Sequence, residues 1–195
     1  GRDRPTGPDE PIPGDPRKAA VAAAALDAGA DIVNDVSELA DPAMPEVVAE
    51  HDASLILMHS HSVPVDPDTN PVYDDVVEDV LDELTEQVLR AERAGVDRDR
   101  IVIDPGCGFG KTAAESYDLI DRAGEFAALG CPVMVGHSRK SMFEGADVAD
   151  DDRLTPTVAA TAIAADRGAD LVRVHDVAEN VAAIKAATGR LQLDG

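Results

Sequence analysis

Three short stretches of the chain concentrate residue types that can do chemistry. The first, Asp104-Pro-Gly-Cys-Gly-Phe-Gly-Lys111, sets a carboxylate ahead of three glycines and a lysine. Glycines let backbone approach a ligand closely, and a carboxylate beside them can accept hydrogen bonds from the guanidine-like edge of a heterocycle. It is not a phosphate-gripping P-loop, because that spacing would put glycine at position 105, where Pro105 stands, and it does not fit the dinucleotide fingerprint either. The second stretch, Gly136-His-Ser-Arg-Lys-Ser141, joins Arg139 and Lys140 to two hydroxyls in a chain whose 17 basic and 39 acidic residues give a net charge of −22. Such a local positive cluster suits an anion, with donors at the start of a following helix adding to it; its structural alternative is pairing with nearby acids such as Glu144. In the third, Arg173-Val-His175-Asp176, strand alternation puts Arg173 and His175 on one side, and a guanidinium beside an imidazole suits a diphosphate. An arginine paired within the fold is the alternative there. His59 and His61 could share a metal ion from one face of a strand. No carboxylate or cysteine joins them at useful sequence spacing, so the segment reads as a loop and no metal ligand is assigned.

These residues need elements to hold them, and the pattern around them supplies a set. Short aliphatic runs occur at Asp31-Ile-Val33, Ser54-Leu-Ile-Leu-Met58, Ile101-Val-Ile103, Pro132-Val-Met-Val135 and Leu171-Val-Arg-Val174. Amphipathic or alanine-rich segments near 17–28, 43–51, 74–94, 115–128, 156–167 and 177–187 alternate with them, and Gly29, Gly95, Gly130 and Gly168 stand as helix stops. The longest helix shows Val77, Val80, Leu81, Leu84 and Val88 on one face, with acids in its first turns as the helix dipole favours. Alternating strand and helix predicts an α/β protein with a buried parallel sheet. Asn34-Asp35, His59-Ser60-His61, Asp104-Pro-Gly106, His137-Ser-Arg-Lys140 and His175-Asp176 each follow an apolar run. Five strands therefore deliver polar groups to one end, where such folds place their sites. Capping of the following helices by Asp35, Ser138 and Asp176 is the structural alternative. Residues 1–16, with five prolines at 5, 8, 11, 13 and 16, read as irregular, which leaves 17–195 as the folded portion.

Composition sets the boundaries. At 195 residues and 44% hydrophobic the chain folds around one core and is too short for two full domains. The acidic excess argues against nucleic-acid or membrane-surface partners. No apolar run reaches the length of about 18 residues needed to span a bilayer, and no signal peptide is visible. Two cysteines, Cys107 and Cys131, make neither a disulfide framework nor a metal cluster, which fits a reducing, cytoplasmic compartment. Lysine is confined to Lys18, Lys111, Lys140 and Lys185 while Asp and Glu abound, a halophilic composition. Opening on Gly1, without methionine, fits a processed, cut or partial sequence.

Taken together, Asp104-Pro-Gly-x-Gly-Phe-Gly-Lys111, Gly136-x-Ser-Arg-Lys-Ser141 and Arg173-Val-His-Asp-Val177 resemble the signature blocks of the dihydropteroate synthase family of pterin-binding enzymes. Ile32-Val-Asn-Asp-Val36, Leu57-Met-His59 and Tyr73-Asp-Asp-Val76 match further blocks in order, so the likeness runs from about Asp15 to Ala187. The resemblance implies a TIM (β/α)8 barrel and a transferase of folate biosynthesis. That enzyme condenses 6-hydroxymethyl-7,8-dihydropterin diphosphate with p-aminobenzoate, releasing pyrophosphate. It further implies pterin contacts from Asp15, Asn34, Met58, Asp104 and Lys140, with Arg173 stacking on the ring. Phe109 and Ser141 would border the p-aminobenzoate site, and Arg173 and His175 would hold the diphosphate. Lys140, Arg173 and His175 are the implied catalytic residues.

The family's first strand, with its asparagine associated with Mg2+, and its second strand have no counterpart, so the implied barrel is incomplete, with about five recognisable strands. Mg2+ is implied by the family alone. A complementing amino-terminal segment or a second copy is the expected partner for the open sheet edges, and the isolated chain is expected to associate and to lack full activity. His137 stands where the family usually has an apolar residue. Two other functions fit the pattern less fully: a pterin-binding methyltransferase-type barrel and a non-catalytic pterin-binding fragment. The charge itself carries a prediction. Repulsion among 39 acids is screened as the Debye length falls from about 10 Å at 0.1 M to about 3 Å at 1 M salt. The melting temperature should therefore rise between about 0.1 and 2 M KCl, and a flat or falling curve contradicts the reading.

Overall fold

The computed structural model describes residues 13, 14, 16–60, 71–146 and 153–189. Strands and helices alternate through them: β1 (Pro13–Gly14), α1 (Ala19–Asp27), β2 (Ile32–Asp35), α2 (Met44–Glu50), β3 (Ser54–Met58), α3 (Val76–Arg93), β4 (Ile101–Asp104), α4 (Ala113–Asp121), β5 (Met134–Val135), α5 (Leu154–Asp166), β6 (Leu171–Val172) and α6 (Val177–Ala187). β1 to β4 pair in sequence order, all parallel, and β5 pairs with β6 in the same sense. A single parallel bridge, Ile103 to Val133, joins the two groups. An open doubly wound sheet reverses its strand order at a switch point. The unreversed order here belongs to a barrel wall.

Each apolar run expected as a strand overlaps one. The difference lies at the amino-terminal side, where Pro13–Gly14 pairs with Ile32–Val33 inside a stretch expected to be irregular. Proline cannot donate to a ladder, but it is tolerated on an edge strand, which β1 is among the described residues. The segment expected as one helix over 115–128 divides into α4 and a 3-10 turn over Ala123–Leu129, closed by Gly130 in the left-handed conformation.

The core lies between the strands and the helices that cross over them. Leu55, Leu57, Ile101 and Ile103 from β3 and β4 are fully buried together with Leu26, Met44, Leu84, Leu119 and Phe126 from the surrounding layer. α3 shows how the sequence dictates its element. Asp75 accepts from Val77 N and Glu78 N to cap its start, acids fill the first turn, and Arg90 and Arg93 fill the last. Its inner face buries Val76, Val77, Val80, Leu84 and Val88. Thr112 and Glu115 form a reciprocal capping box on α4. The Lys111-Thr112 ending that follows the glycine-rich stretch therefore starts a helix. No helix among the described residues is long and apolar enough to cross a membrane.

Asp75 also pairs with Arg122 at 2.8 Å. That hydrogen bond, followed by the one from Glu78 N, holds its carboxyl below the usual carboxylate range. A carboxyl depressed in the folded state stabilises above its unfolded value, near 3.9, and loses that contribution as pH falls through the folded value. Asp75→Asn keeps a capping side chain and loses the ion pair, whereas Asp75→Ala loses both. Thermal unfolding at pH 7 should therefore rank wild type above Asp75→Asn above Asp75→Ala. The gap between wild type and Asp75→Asn should close as pH falls below about 4.

Candidate active site

The carboxyl ends of the strands open into one cavity of about 510 Å³, within the usual range for small-molecule sites. Of the residues singled out in the sequence, Asn34, Phe109, Lys140, Arg173 and His175 line it. β2 delivers Asn34 to the cavity while its neighbour Asp35 serves the backbone. The Asp35 carboxylate accepts from Ser37 N, Ser37 Oγ and Leu39 N. It folds the turn after β2 and does not cap a helix.

Asp104 lies beneath the cavity at 1% exposure. Its Oδ1 accepts from Gly106 N at 2.9 Å, and Oδ2 has no hydrogen-bond partner among the described residues. Arg173 NH2 stands 4.0 Å from Oδ2. Two glycines make this arrangement possible. A Cβ on Gly106, which has φ +71°, would meet the carbonyl oxygen of His59 at 1.8 Å, and one on Gly136 would sit 3.2 Å from Asp104 Oδ2 and 3.4 Å from the Arg173 guanidinium. A buried carboxylate oxygen without a donor is costly, so the site is built to receive one.

The loop after β4 is tied down by two lysines with different tasks. Lys111 Nζ bonds to Gly106 O at 3.1 Å, to Phe109 O at 3.0 Å and to His59 Nδ1 at 2.8 Å, and so fixes the loop from below. Burial pushes its ammonium down to about 8. Lys140 reaches the same loop from the cavity side, donating to Cys107 O and standing 4.3 Å above the Phe109 ring. Burial lowers its pKa also, and the neighbouring Asp104 charge opposes that shift. Burial pushes the Cys107 thiol up to about 12, which keeps it protonated.

The second cation of the cluster turns away. Arg139 has φ +57° and forms a two-point pair with Asp176, at 3.0 and 2.6 Å. Asp176 thus braces the loops after β5 and β6, and no side-chain cap on α6 is seen. The pairing expected for Glu144 goes to Arg153 at 3.4 Å. Ser138, also read as a helix cap, serves His175: its Oγ accepts from His175 N at 3.2 Å and lies 2.8 Å from His175 Nδ1. With the Ser138 hydroxyl proton turned to Nδ1, the ring keeps its own proton on Nε2 and can offer it as a donor; with the proton on Nδ1, Oγ accepts from the ring as well as from the amide. Behind them His137 is fully buried, with Nε2 at 2.8 Å from Thr161 Oγ1, which donates to Asn180 Oδ1 at 2.6 Å. The polar residue at this position thus ties β5 to α5 and α6 and stays out of the cavity lining.

Besides Asp104, which lies behind Gly136, two of the expected residues that the structure describes fall outside the lining, and a third is not among the described residues. Met58 is completely buried in register with Asp104, Ser141 is exposed at the start of a 3-10 turn, and Asp15 lies outside the described residues. His61 is outside them too. Arg17, Val36, Gly136, Ser138 and Val174 line the cavity without having been singled out as ligand contacts. Val36, Gly136, Ser138 and Val174 stand within the matched blocks, where they were given no ligand role, and Arg17 stands in none of them. The lining offers Arg17, Lys140 and Arg173 as cations and no carboxylate. Mg2+ takes oxygen ligands, commonly one or two carboxylates, so the described residues of this cavity do not fit it.

Comparison with known proteins agrees with this geometry. Residues 6–175 match the family model described as pterin binding enzyme. A probable bifunctional folylpolyglutamate synthase/dihydropteroate synthase of Haloferax volcanii is 62% identical over 173 residues, 89% of this chain and 21% of that protein. The dihydropteroate synthase of Escherichia coli is 39% identical over 84% of this chain and 58% of its own length. The chain thus spans about a fifth of the first relative and under two thirds of the second. Among solved structures, dihydropteroate synthase from Anaplasma phagocytophilum with bound 6-hydroxymethylpterin-monophosphate superposes with a TM-score of 0.88 at 37% identity, covering 93% of this chain and 72% of that one. The Xanthomonas albilineans enzyme in complex with 7,8-dihydropteroate gives 0.84 at 38% identity, covering 94% and 68%. With the barrel wall and the strand-end cavity already in place, these matches make the chain a member of the pterin binding enzyme family, similar over most of its length to dihydropteroate synthases.

Proposed function

We propose that this cavity binds 6-hydroxymethyl-7,8-dihydropterin diphosphate and condenses it with p-aminobenzoate. The observation that carries the reading is a buried carboxylate oxygen, without a hydrogen-bond donor among the described residues, set directly behind Gly136 in the wall of a cavity lined by cations. A pterin offers Asp104 the N–H donors of its guanidine-like edge, with the Asn34 amide beside them. The diphosphate lies toward Arg173 and His175, whose guanidinium and Nε2–H donate to its oxygens. In the reaction the bond from the pterin methylene carbon to the diphosphate oxygen breaks, a bond to the aryl amine nitrogen forms, and the amine loses a proton to solvent. Charge develops on the departing pyrophosphate, where Arg173 and His175 stabilise it. Holding both reactants in line supplies the rest. Phe109, kept under Lys140, forms the wall on the aryl amine side.

Among the described residues, β1 and β6 each have a strand partner on one side alone, and this extends the proposal. Leu171, Val177 and Val181 are exposed at 47%, 62% and 40% beside the β6 edge, a surface suited to a complementing amino-terminal segment or a second copy. A cytoplasmic setting and a salt-adapted surface complete the reading.

Calorimetry with the pterin diphosphate, with and without p-aminobenzoate, and coupled detection of pyrophosphate test the function. Binding of both ligands with pyrophosphate release supports the synthase. Failure to bind the pterin at all overturns it.

Two substitutions check the assignment of roles. Lys140→Ala should weaken pterin binding by about 1.5–3 kcal/mol, the worth of a charged hydrogen bond. Lys111→Ala should act mainly on stability, since Lys111 is not among the lining residues; equal losses of affinity would remove Lys140 from the pterin site. His175→Ala should weaken the pterin diphosphate and leave the bare pterin alcohol near wild type. Arg173→Ala should weaken both, because its guanidinium stands over the Asp104 end as well as at the anion end. Unchanged diphosphate affinity in the His175 variant contradicts the role given to that ring.

A further inference from the structure

We infer that Glu38, His59 and Glu83 form a site for a first-row transition metal ion, apart from the substrate cavity. The three residues come from separate elements: the turn after β2, the end of β3 and the exposed side of α3. Their donor atoms all lie within 4.8 Å of one another, and His59 Nε2 stands 3.0 Å from Glu83 Oε2. Ligand atoms at bond lengths near 2.0–2.2 Å from one ion lie at most about 4.4 Å apart, so the set closes on an ion with a small side-chain adjustment.

The surroundings hold each ligand in place. His59 is completely buried, and Lys111 Nζ holds its Nδ1 at 2.8 Å, turning Nε2 toward the carboxylates. Glu38 Oε1 accepts from Ser60 N at 2.7 Å, which orients that carboxylate. Its backbone is fixed as well: Glu38 and Leu39 have φ of 58° and 57°, and Arg90 donates to both their carbonyls, at 3.2 and 2.7 Å. Supporting contacts of this kind set ligand orientation at metal sites. Glu83, half exposed, leaves the solvent side open for water as a further ligand.

One imidazole nitrogen and two carboxylates suit Zn2+, Co2+ or Mn2+ better than Ca2+ or Mg2+, which prefer all-oxygen sets. On binding, the metal takes the place of the Nε2 proton; the ring's remaining proton then sits on Nδ1 and is donated to an uncharged Lys111, so the Lys111–His59 pair as a whole loses one proton to solvent. Lys111 also bonds to Phe109 O, so an ion here would stiffen the loop that borders the substrate cavity.

The full chain, freed of metal by a chelator and then dialysed into about 2 M KCl to screen its diffuse acidic field, is titrated with Co2+. One equivalent should bind with visible d–d absorption. Glu83→Gln should weaken that binding by about tenfold or more, and Glu86→Gln, an exposed acid on the same helix, should leave it unchanged. Zn2+ should raise the melting temperature of wild type and of Glu86→Gln more than that of Glu83→Gln. Absence of a saturable equivalent, or equal Co2+ binding by wild type and Glu83→Gln, overturns the site.

Discussion

A carboxylate held out of water at the end of β4 is the constraint around which the active end is arranged. Asp104 is 1% exposed, and a charge in that position costs several kcal/mol unless donors and countercharges surround it. Gly106 gives its amide to one oxygen, and Gly136 lets the Arg173 guanidinium stand 4.0 Å from the other. A side chain at either glycine would push these groups apart or collide with the His59 carbonyl. Lys140 adds positive charge from the next strand end while anchoring the loop between them. The glycine-rich stretch, the basic cluster and the Arg-x-His strand end are therefore one electrostatic unit built on three strands.

The same unit explains why the few lysines and arginines of so acidic a chain gather where they do. With a net charge of −22, the surrounding field favours cations and repels an anionic substrate. Admitting an anion requires local positive charge strong enough to reverse that field within the cavity. Arg17, Lys140 and Arg173 supply it. Arg139 stays outside and spends its charge on Asp176, which locks two adjacent loops. Neighbouring residues of like charge in one sequence block thus take opposite roles, because the left-handed backbone at Arg139 turns its side chain away from that of Lys140.

What could be read from the sequence followed from local regularity. The aliphatic runs at β2 to β6 and the 3.6-residue apolar stripe of α3 depend on neighbours a few positions apart, and both appear where expected. β1 escaped because a two-residue edge strand carries no periodicity, and its proline signals turn before it signals edge. Asp35, Ser138 and Asp176 looked like helix caps because cap propensity is a local property. Their partners, Leu39 N, His175 and Arg139, became available only through the turn after β2 and the pairing of β5 with β6. Met58 and Ser141 entered through the resemblance, which transfers a position in a block without the depth of the side chain behind it.

The cluster around His59 shows the limit of spacing rules most directly. Ligand motifs read along a chain presuppose that the metal-binding groups lie within a turn or two of one another. Here one carboxylate is 21 residues before His59 and another 24 after it, and parallel strands with helical crossovers bring both to one end. His61, two positions away and the more tempting partner in sequence, is not needed for the set. A parallel α/β wall repeats this geometry at every strand end: residues separated by a whole crossover become neighbours, while adjacent residues point to opposite faces. The chemistry of this chain is therefore written at intervals of one β/α unit, with Asn34, His59, Asp104, Lys140 and Arg173 each contributed by a different one.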